Sequence, residues 1–590
     1  MEPVRKILIF LRPYRREAAI SLILLASMVV MDLAIPRLIQ HIIDRGIVPG
    51  DRRVVATAAL SMLGISALST LTALGNNWFS VRAGEGVARD LREALFVRIQ
   101  SFSFGNLDQQ QTGQLLVRLT SDIAAIKSLV QISLRIGTRA PLMLIGSLIL
   151  MVLTSRTLAL TLLPVLLITI VAIVVFIAKT EPLFVKVQAK LDALNAVLQE
   201  NLAGARLVKA LVRGSFEIER FEHANLEMTD RSIAVMRFSA AMLPVLTLFL
   251  NIGMVVVIWS GGLAAMRGSI SLGQIVAFSN YMLSTMAPLM MMSMLSSMWA
   301  SGLASAGRVQ TVLDTEPEVQ DASDARPLPS ATPARVEFRD VAFAYPGASG
   351  EVLHALDLVA EPGQTIAILG STGSGKSTLV SLIPRFYDAT RGELRFAGED
   401  VRAVRQASLL AHVGIVPQEA LLFSGSVRDN IRYGRPEASD AEVQAAAQAA
   451  QAHEFIERLP EGYAARVAPR GANFSGGQKQ RLAIARALLL DPDVLILDDS
   501  TSAVDVETET KIQDALAQRR QGRTTFVVAQ RISTVLRADR ILVLERGRIV
   551  ASGTHKQLLE SSPVYREIYA SQLGSGIAEE VHASEKGATA

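Results

Sequence analysis

Apolar positions are unevenly spread along this chain of 590 residues: before about residue 308 they gather into long runs, and beyond it short apolar runs alternate with polar ones. A helix needs roughly 20 apolar residues to cross the ~30 Å hydrocarbon layer, because backbone groups without hydrogen-bond partners are very costly there. Six segments meet that need: 18–42, interrupted by Asp32, Pro36 and Arg37; 54–81, with no charged residue; 140–155 and 157–178, parted by a tight turn at Arg156; 238–266; and one within 270–306, again uncharged. About 60 residues with helical patterning separate the second from the third and the fourth from the fifth, whereas the other connections are short. The pattern predicts a six-helix membrane domain over 18–310 whose helices extend far beyond the bilayer on one side.

Those extensions and the N-terminus are rich in Arg and Lys, so the positive-inside rule places them, and both chain ends, on the cytoplasmic side of the cell membrane. Residues 1–17, "MEPVRKILIFLRPYRRE", mix basic and apolar positions without a small-residue cleavage site, which predicts an interfacial helix and not a removable signal. Residues 311–334 turn acidic and rich in Pro, as linkers do. Over 335–573, β-rich runs such as "TIAILG", "DVLILDD" and "TTFVVAQ" alternate with helical ones, predicting an α/β domain around a largely parallel sheet. The tail, 574–590, has little to bury and is predicted to be disordered.

Composition narrows the function. Half of the residues are hydrophobic and the mean hydropathy is +0.34, as a large membrane domain requires. With 59 Lys and Arg against 55 Asp and Glu, the charge is too balanced to point to nucleic acid. No cysteine occurs, so neither a disulfide framework nor a thiolate metal site is available.

The strand-like "TIAIL" runs into "GSTGSGKST" and then a helical stretch. That context marks a phosphate-binding loop formed by Gly370, Ser371, Thr372, Gly373, Ser374, Gly375, Lys376, Ser377 and Thr378. Its glycines let successive N–H groups face phosphate oxygens, Lys376 reaches the β- and γ-phosphates, and Ser377 offers a hydroxyl to Mg²⁺. Asp498 ends the apolar run "DVLIL", where a magnesium-holding carboxylate is needed. The fold class is thus a membrane domain of six helices followed by a P-loop ATPase domain, with ATP and Mg²⁺ as its cofactors. A second phosphate-binding helix start lies in "NFSGGQ", with Phe474, Ser475, Gly476, Gly477 and Gln478. One chain cannot aim both starts at the same γ-phosphate, so two chains must meet.

With that turn the sequence resembles the ATP-binding cassette family, whose signature is Ser-Gly-Gly-Gln and whose two cassettes sandwich two ATP molecules head to tail. Nearly the whole chain is similar to a half-exporter of the type IV multidrug, lipid and peptide group. The resemblance implies that Tyr345 stacks on adenine, that Gln418 watches Mg²⁺, and that Ser502 to Asp505 cross to the partner cassette. It also implies coupling helices near 106–122 and 204–215.

Three positions depart from the family pattern. Asp499 stands where a glutamate polarises the attacking water, Gln530 where a histidine contacts the γ-phosphate, and Pro469 where a cross-contact glutamate precedes the signature. Asp499 is one methylene short, and a retreat of about 1 Å can cost on the order of a hundredfold in rate. Gln530 donates a hydrogen bond but carries no charge. Binding residues are kept and the signature is intact, a pattern similar to the degenerate-site subunit of heterodimeric exporters. The expected partner is a second half-exporter with glutamate and histidine at these positions and a damaged signature. A slow homodimeric exporter, an importer and a regulatory or channel subunit are the alternatives; a soluble DNA-repair ATPase is excluded by the six spans.

In the membrane domain, Asp32 is an intramembrane acid, Asn76, Asn77, Asn251 and Asn280 are candidates for a polar cavity or for interhelical bonds, and seven methionines lie between Met282 and Met298. Substrate is expected to be amphipathic or hydrophobic.

Overall fold

A computed structural model describes residues 9–329, 334–518, 522–529 and 531–573, with the side chains at 181, 286, 287, 289, 290, 292–294, 296, 297 and 533 outside the description. Residues 1–8 of the expected interfacial helix, part of the linker, Gln530 and the tail therefore lie outside the described residues. The chain divides into two compact units, 1–100 with 113–315, and 101–112 with 316–590.

The first unit is built from six long helices: α1 (Arg15–His41), α2 (Arg52–Gln100), α3 (Thr112–Thr154), α4 (Arg156–Ala203), α5 (Gly214–Met266) and α6 (Leu272–Asp314). The first five are long and apolar enough to cross a membrane; α6 carries no charged residue before Arg308. Leu60, Leu63, Val171 and Val174 point outward, the surface a lipid-facing helix presents. Lipid tails are as apolar as leucine, so helices associate through close packing and polar bonds. Both occur here. Leu33, Leu162, Val257, Phe278 and Tyr281 form a buried cluster, the Tyr281 hydroxyl donates to the Leu33 carbonyl at 3.1 Å, and Ser147 bonds Thr285 at 2.8 Å. Asn76 is buried and donates to the Ser21 carbonyl at 2.8 Å and the Leu134 carbonyl at 3.4 Å, so it joins α1, α2 and α3. Asn280 bonds within its own helix, to Val276. Asp32 accepts from Ser69 and Arg139, each at 3.0 Å. At the far end of α1, Asp44 caps the start of α6, accepting from Ser271 Oγ and the Gly273 N–H.

The second unit holds a six-stranded sheet in the order β12-β11-β3-β10-β9-β6. Its strands are β3 (Thr365–Leu369), β6 (Val413–Val416), β9 (Val494–Asp498), β10 (Thr524–Val528), β11 (Arg540–Glu545) and β12 (Arg548–Gly553). All neighbours are parallel except β11 and β12. The central strands read as near-continuous apolar runs because both faces are covered. A second sheet, antiparallel and in the order β2-β1-β4-β5, lies over β1 (Val336–Phe343), β2 (Leu353–Ala360), β4 (Arg391–Phe396) and β5 (Glu399–Asp400). It is an addition to the expected parallel sheet.

The segment read as a loose linker behaves otherwise where it is described. Val319, Ala325 and Leu328 are buried, Arg326 bridges Val404, and the Gln320 carbonyl accepts from Arg385 at 3.0 Å. Its few apolar residues suffice to seat it because backbone hydrogen bonds are supplied by the cassette. The short helix Phe104–Gln109 belongs to the same unit: Phe104 stacks on Phe386 with centroids 3.9 Å apart, and Asp108 accepts the Tyr387 hydroxyl.

Candidate functional site

Strand order decides where the chemistry gathers. Because β3, β10 and β9 are parallel neighbours, with Val528 opposite both Ile368 and Asp498, their carboxyl ends open on one edge. That edge is where open α/β sheets take their ligands. The loop from Gly370 leads there into α7 (Lys376–Leu382). Gly370 has φ +155, and a Cβ on it would meet the Leu544 carbonyl oxygen at 2.2 Å; Gly375 has φ +99. Neither site admits a larger residue without displacement.

A cavity of about 320 Å³ opens at this edge, lined by Tyr345, Val352, Thr372, Gly373, Gly375, Lys376, Ser377, Thr378, Gln418, Asp498, Asp499 and Val528. The Lys376 ammonium donates to the carbonyls of Gly370 and Ser371, each at 2.8 Å, and so curls back over its own loop. Burial lowers its pKa. Burial likewise raises the carboxyls of Asp498 and Asp499, each in part offset by a hydrogen bond, from Ser377 and Gln418 respectively. Two carboxylates and one ammonium, all disfavoured as ions by desolvation, make a pocket that gains from a charged guest.

The residues fit a magnesium nucleotide. The Ser377 hydroxyl lies 2.9 Å from Asp498 Oδ1, about the separation of adjacent ligands in an octahedron with Mg–O distances of ~2.0–2.1 Å. Among the described residues no three His, Cys, Asp or Glu side chains cluster as a metal cage; magnesium bound with phosphate uses one or two carboxylates and needs none. Ser374 Oγ is buried without a partner among the described residues, a polar atom left for the loop's guest. Tyr345 is partly buried; its hydroxyl bonds Thr378 Oγ1 at 2.9 Å, and its ring meets Phe343 and Tyr387 edge to face.

Asp499 has a left-handed backbone, φ +46, and its Oδ2 accepts from Gln418 Nε2 at 3.4 Å. Gln418 thus points its amide at the second aspartate. Gln530, expected beside them, falls outside the described residues.

The signature residues lie elsewhere: none of Phe474, Ser475, Gly476, Gly477 or Gln478 lines the cavity. Ser475 caps α8 (Gly476–Leu489) in a reciprocal box with Gln478. A Cβ on Gly477 would stand 2.8 Å from the Ala503 carbonyl oxygen, so glycine is needed for the approach of the 502–505 loop. Phe474, expected among ligand-contacting residues, is buried beside Phe455. Asp505 caps α9 (Val506–Gln518) by accepting the Thr508 N–H at 2.9 Å, the bond that chiefly lowers its pKa.

Sequence reading missed the groups that hold the 502–505 loop. Gln480 accepts the Ala503 N–H at 3.0 Å, Arg531 donates to the carbonyls of Ser502 and Val504, and Glu509 bonds Thr501 and Thr534. A polar residue on a buried helix face, as Gln480 is, was the available signal.

A cassette with this sheet order and loop, behind six long helices, is the architecture of ABC half-transporters, and comparison with known proteins agrees. The model of the ABC transporter transmembrane region matches residues 18–289 and that of the ABC transporter matches 353–502. The chain belongs to the ABC transporter family. It is 38% identical to the uncharacterized ABC transporter ATP-binding protein YfiB of Bacillus subtilis over 97% of this chain and 99% of that one. With the ATP-dependent lipid A-core flippase of Chromobacterium violaceum it shares 33% identity over 96% and 97% of the two chains. Among solved structures, a bacterial Atm1-family ABC exporter with ATP bound superposes with a TM-score of 0.79 at 29% identity, covering 95% of this chain and 99% of that one. The type IV exporter fold follows from that likeness.

Proposed function

We propose that this chain is one subunit of a heterodimeric exporter whose own pocket holds Mg·ATP and cleaves it slowly, while its signature turn completes the partner's working site. The observation that carries the reading is Asp499: a short carboxylate, pushed up in pKa by burial and engaged by Gln418, in the place of a glutamate. Gln530 and Pro469 point the same way.

In this mechanism Lys376 and the loop amides hold the triphosphate, Ser377 and Asp498 hold magnesium, and Tyr345 faces the base. Magnesium held there would neutralise part of the phosphate charge. Asp499 orients water poorly because its carboxylate lies ~1 Å short, so the pocket stays closed on its guest. Ser475, Gly476 and Gly477 face the partner's nucleotide across the interface, as their distance from this chain's cavity favours. Closure of the cassettes then shifts the helix bundle from inward-facing to outward-facing, with substrate expelled away from the cytoplasm. The partner has glutamate and histidine at the matching positions and a damaged signature. The short helix Ala205–Ala210, with Leu207, Leu211 and Val212 exposed around it, is the second coupling element. The lipid A-core flippase and Atm1-family likenesses favour an amphipathic substrate and outward transport.

The test is purification with the membrane partner, followed by ATPase and vesicle uptake assays on wild type and on Asp499→Glu with Gln530→His. Transport that proceeds without either change, and faster turnover with both, supports the reading. A partner that also carries aspartate and glutamine would defeat it.

A further inference from the structure

We propose that Gln572, in the last turn of the C-terminal helix, is a positioning residue for ATP turnover: through the segment 531–534 it holds the 502–505 loop that this chain presents to the second cassette. This rests on the reading that the signature turn and that loop serve the partner's nucleotide.

A short helix lacks a cap of its own. β10 ends at Val528, and α10 (Ile532–Val535) begins soon after it. The first N–H groups of a helix have no partner within it. Arg531, in the N-cap place, has an extended backbone and gives no side-chain cap, since a guanidinium carries donors only. Ile532 is 1% exposed, so water has little access to its amide. The acceptor comes from far along the chain: the Ile532 N–H donates to Gln572 Oε1 at 2.8 Å.

Gln572 stands on a firmly seated element. The Tyr565 hydroxyl lies 2.7 Å from His555 Nδ1, which ties α11 (His555–Ser561) to α12 (Pro563–Leu573). Arg566 donates to the carbonyls of Leu559 and Glu560, each at 2.9 Å. Tyr565 is fully buried in the same core cluster as Ile512 of α9 and Val535 of α10. A side chain carried on such a helix gives α10 a fixed point.

From α10 the hold passes to the loop. Arg531, next to Ile532, donates to the Ser502 carbonyl at 3.1 Å and to the Val504 carbonyl at 3.4 Å. Further along α10, the Thr534 hydroxyl donates to Glu509 Oε1 at 2.5 Å, and the same oxygen accepts from the Thr501 hydroxyl at 2.9 Å. The stretch 501–504 is therefore tied to both ends of α10, and Ala503 within it lies against Gly477 of the signature turn. Gln572 is the tie that reaches this assembly from outside the nucleotide-binding elements. Without it the Ile532 amide is left buried and unpaired, α10 shifts, and Arg531 carries the loop with it. A displacement on the order of an ångström is enough to slow chemistry. Neither Gln572 nor Arg531 lines the cavity at the phosphate loop, so binding of nucleotide there is a separate matter.

The test uses the full-length protein with its partner in nanodiscs, with steady-state ATPase measured against ATP concentration. Gln572→Met keeps the length and packing of the side chain and removes the oxygen acceptor, whereas Gln572→Glu keeps an oxygen at the same reach. We expect Gln572→Met to lower kcat about threefold to tenfold, the scale of one hydrogen bond. KM, and the half-saturation of azido-ATP cross-linking to this chain, stay within about twofold of wild type. Gln572→Glu retains most of the turnover. Because Gln572 acts through Arg531, Gln572→Met adds nothing to the loss caused by Arg531→Ala, as residues of one network behave. Full kcat in Gln572→Met, an equal loss in Gln572→Glu, a matching loss of nucleotide affinity, or additive losses with Arg531→Ala would each overturn the proposal. Gly477→Ala, measured alongside, separates the proposal from its premise. If Gly477→Ala slows turnover and Gln572→Met does not, the proposal alone falls; if neither does, the premise falls and takes the proposal with it.

Discussion

At the scale of single residues, two adjacent aspartates line the pocket with different partners, Ser377 for Asp498 and Gln418 for Asp499. Asp498 has Ser377 at 2.9 Å and sits where the strand ends, so it is positioned to hold a cation; its burial makes the ion costly when no cation is there. Its folded-state pKa is raised, so the ionised form disfavours folding at neutral pH, and that loss is recovered as pH falls through the raised value. Asp498→Asn is therefore expected to raise the unfolding midpoint of the nucleotide-free cassette by about 2–4 °C at neutral pH, the shift that ~1 kcal/mol gives a domain of this size. The same change removes the magnesium dependence of nucleotide binding; scanning calorimetry and binding titrations with and without EDTA check both parts. Gly477 lies outside the cavity lining. Its alanine variant places a methyl group 2.8 Å from the Ala503 carbonyl and displaces the 502–505 loop. ATPase of the assembled complex is expected to fall by about tenfold to a hundredfold, as ångström misplacement does, with nucleotide binding to this chain's own pocket unchanged.

At the scale of elements, the short helix Phe104–Gln109 is joined to the pocket by an aromatic chain. Phe104 stacks on Phe386; the neighbouring Tyr387 reaches Asp108 with its hydroxyl and Tyr345 with its ring, 5.3 Å between centroids. Burial, with the Asp108 bond, raises the Tyr387 pKa, so the phenol remains a donor. Tyr387→Phe keeps the ring contacts and deletes the bond. It is expected to cut substrate-stimulated ATPase severalfold while leaving fluorescent-nucleotide affinity within about twofold, since one neutral ring is kept and one hydrogen bond to a charged group is lost. This arrangement was not readable from sequence: Asp108 and Tyr387 are 279 residues apart, and neither neighbourhood carries a periodic signal naming the other. By contrast the phosphate loop and the 498 strand end were legible, because a strand, a glycine-rich turn and a helix follow one another locally. The antiparallel sheet stood between these cases. Alternation was present in "VEFRDVAF", but its pairing with Leu353–Ala360 and Arg391–Phe396 is set by contacts that no local period encodes. The packing of 316–329 was not legible because its composition is that of a free linker, while its order comes from partners such as Arg385 and Ser408.

At the scale of the whole molecule, a cavity lacking the signature residues and a signature lacking a cavity are complementary halves. On the proposed reading that complementarity calls for a second cassette, and the departures at 499 and 530 for one that differs from this one. Six hydrophobic runs were enough to foresee the bundle, since crossing a membrane leaves helices little alternative. What joins the helices, Asn76 to Ser21 and Asp32 to Arg139, emerged only from the structure, because a polar residue in an apolar run names no partner. Co-expression with the second half-transporter should yield a 1:1 complex, whereas this chain alone should give no transport-competent dimer, as mass photometry and vesicle uptake would record. The most direct measurement is the chemical state of the nucleotide at this chain's pocket after the purified complex has turned over radiolabelled azido-ATP and been cross-linked by light. The account predicts that label recovered on this chain is mainly triphosphate while the partner carries mainly diphosphate; diphosphate on both chains in equal measure would contradict it.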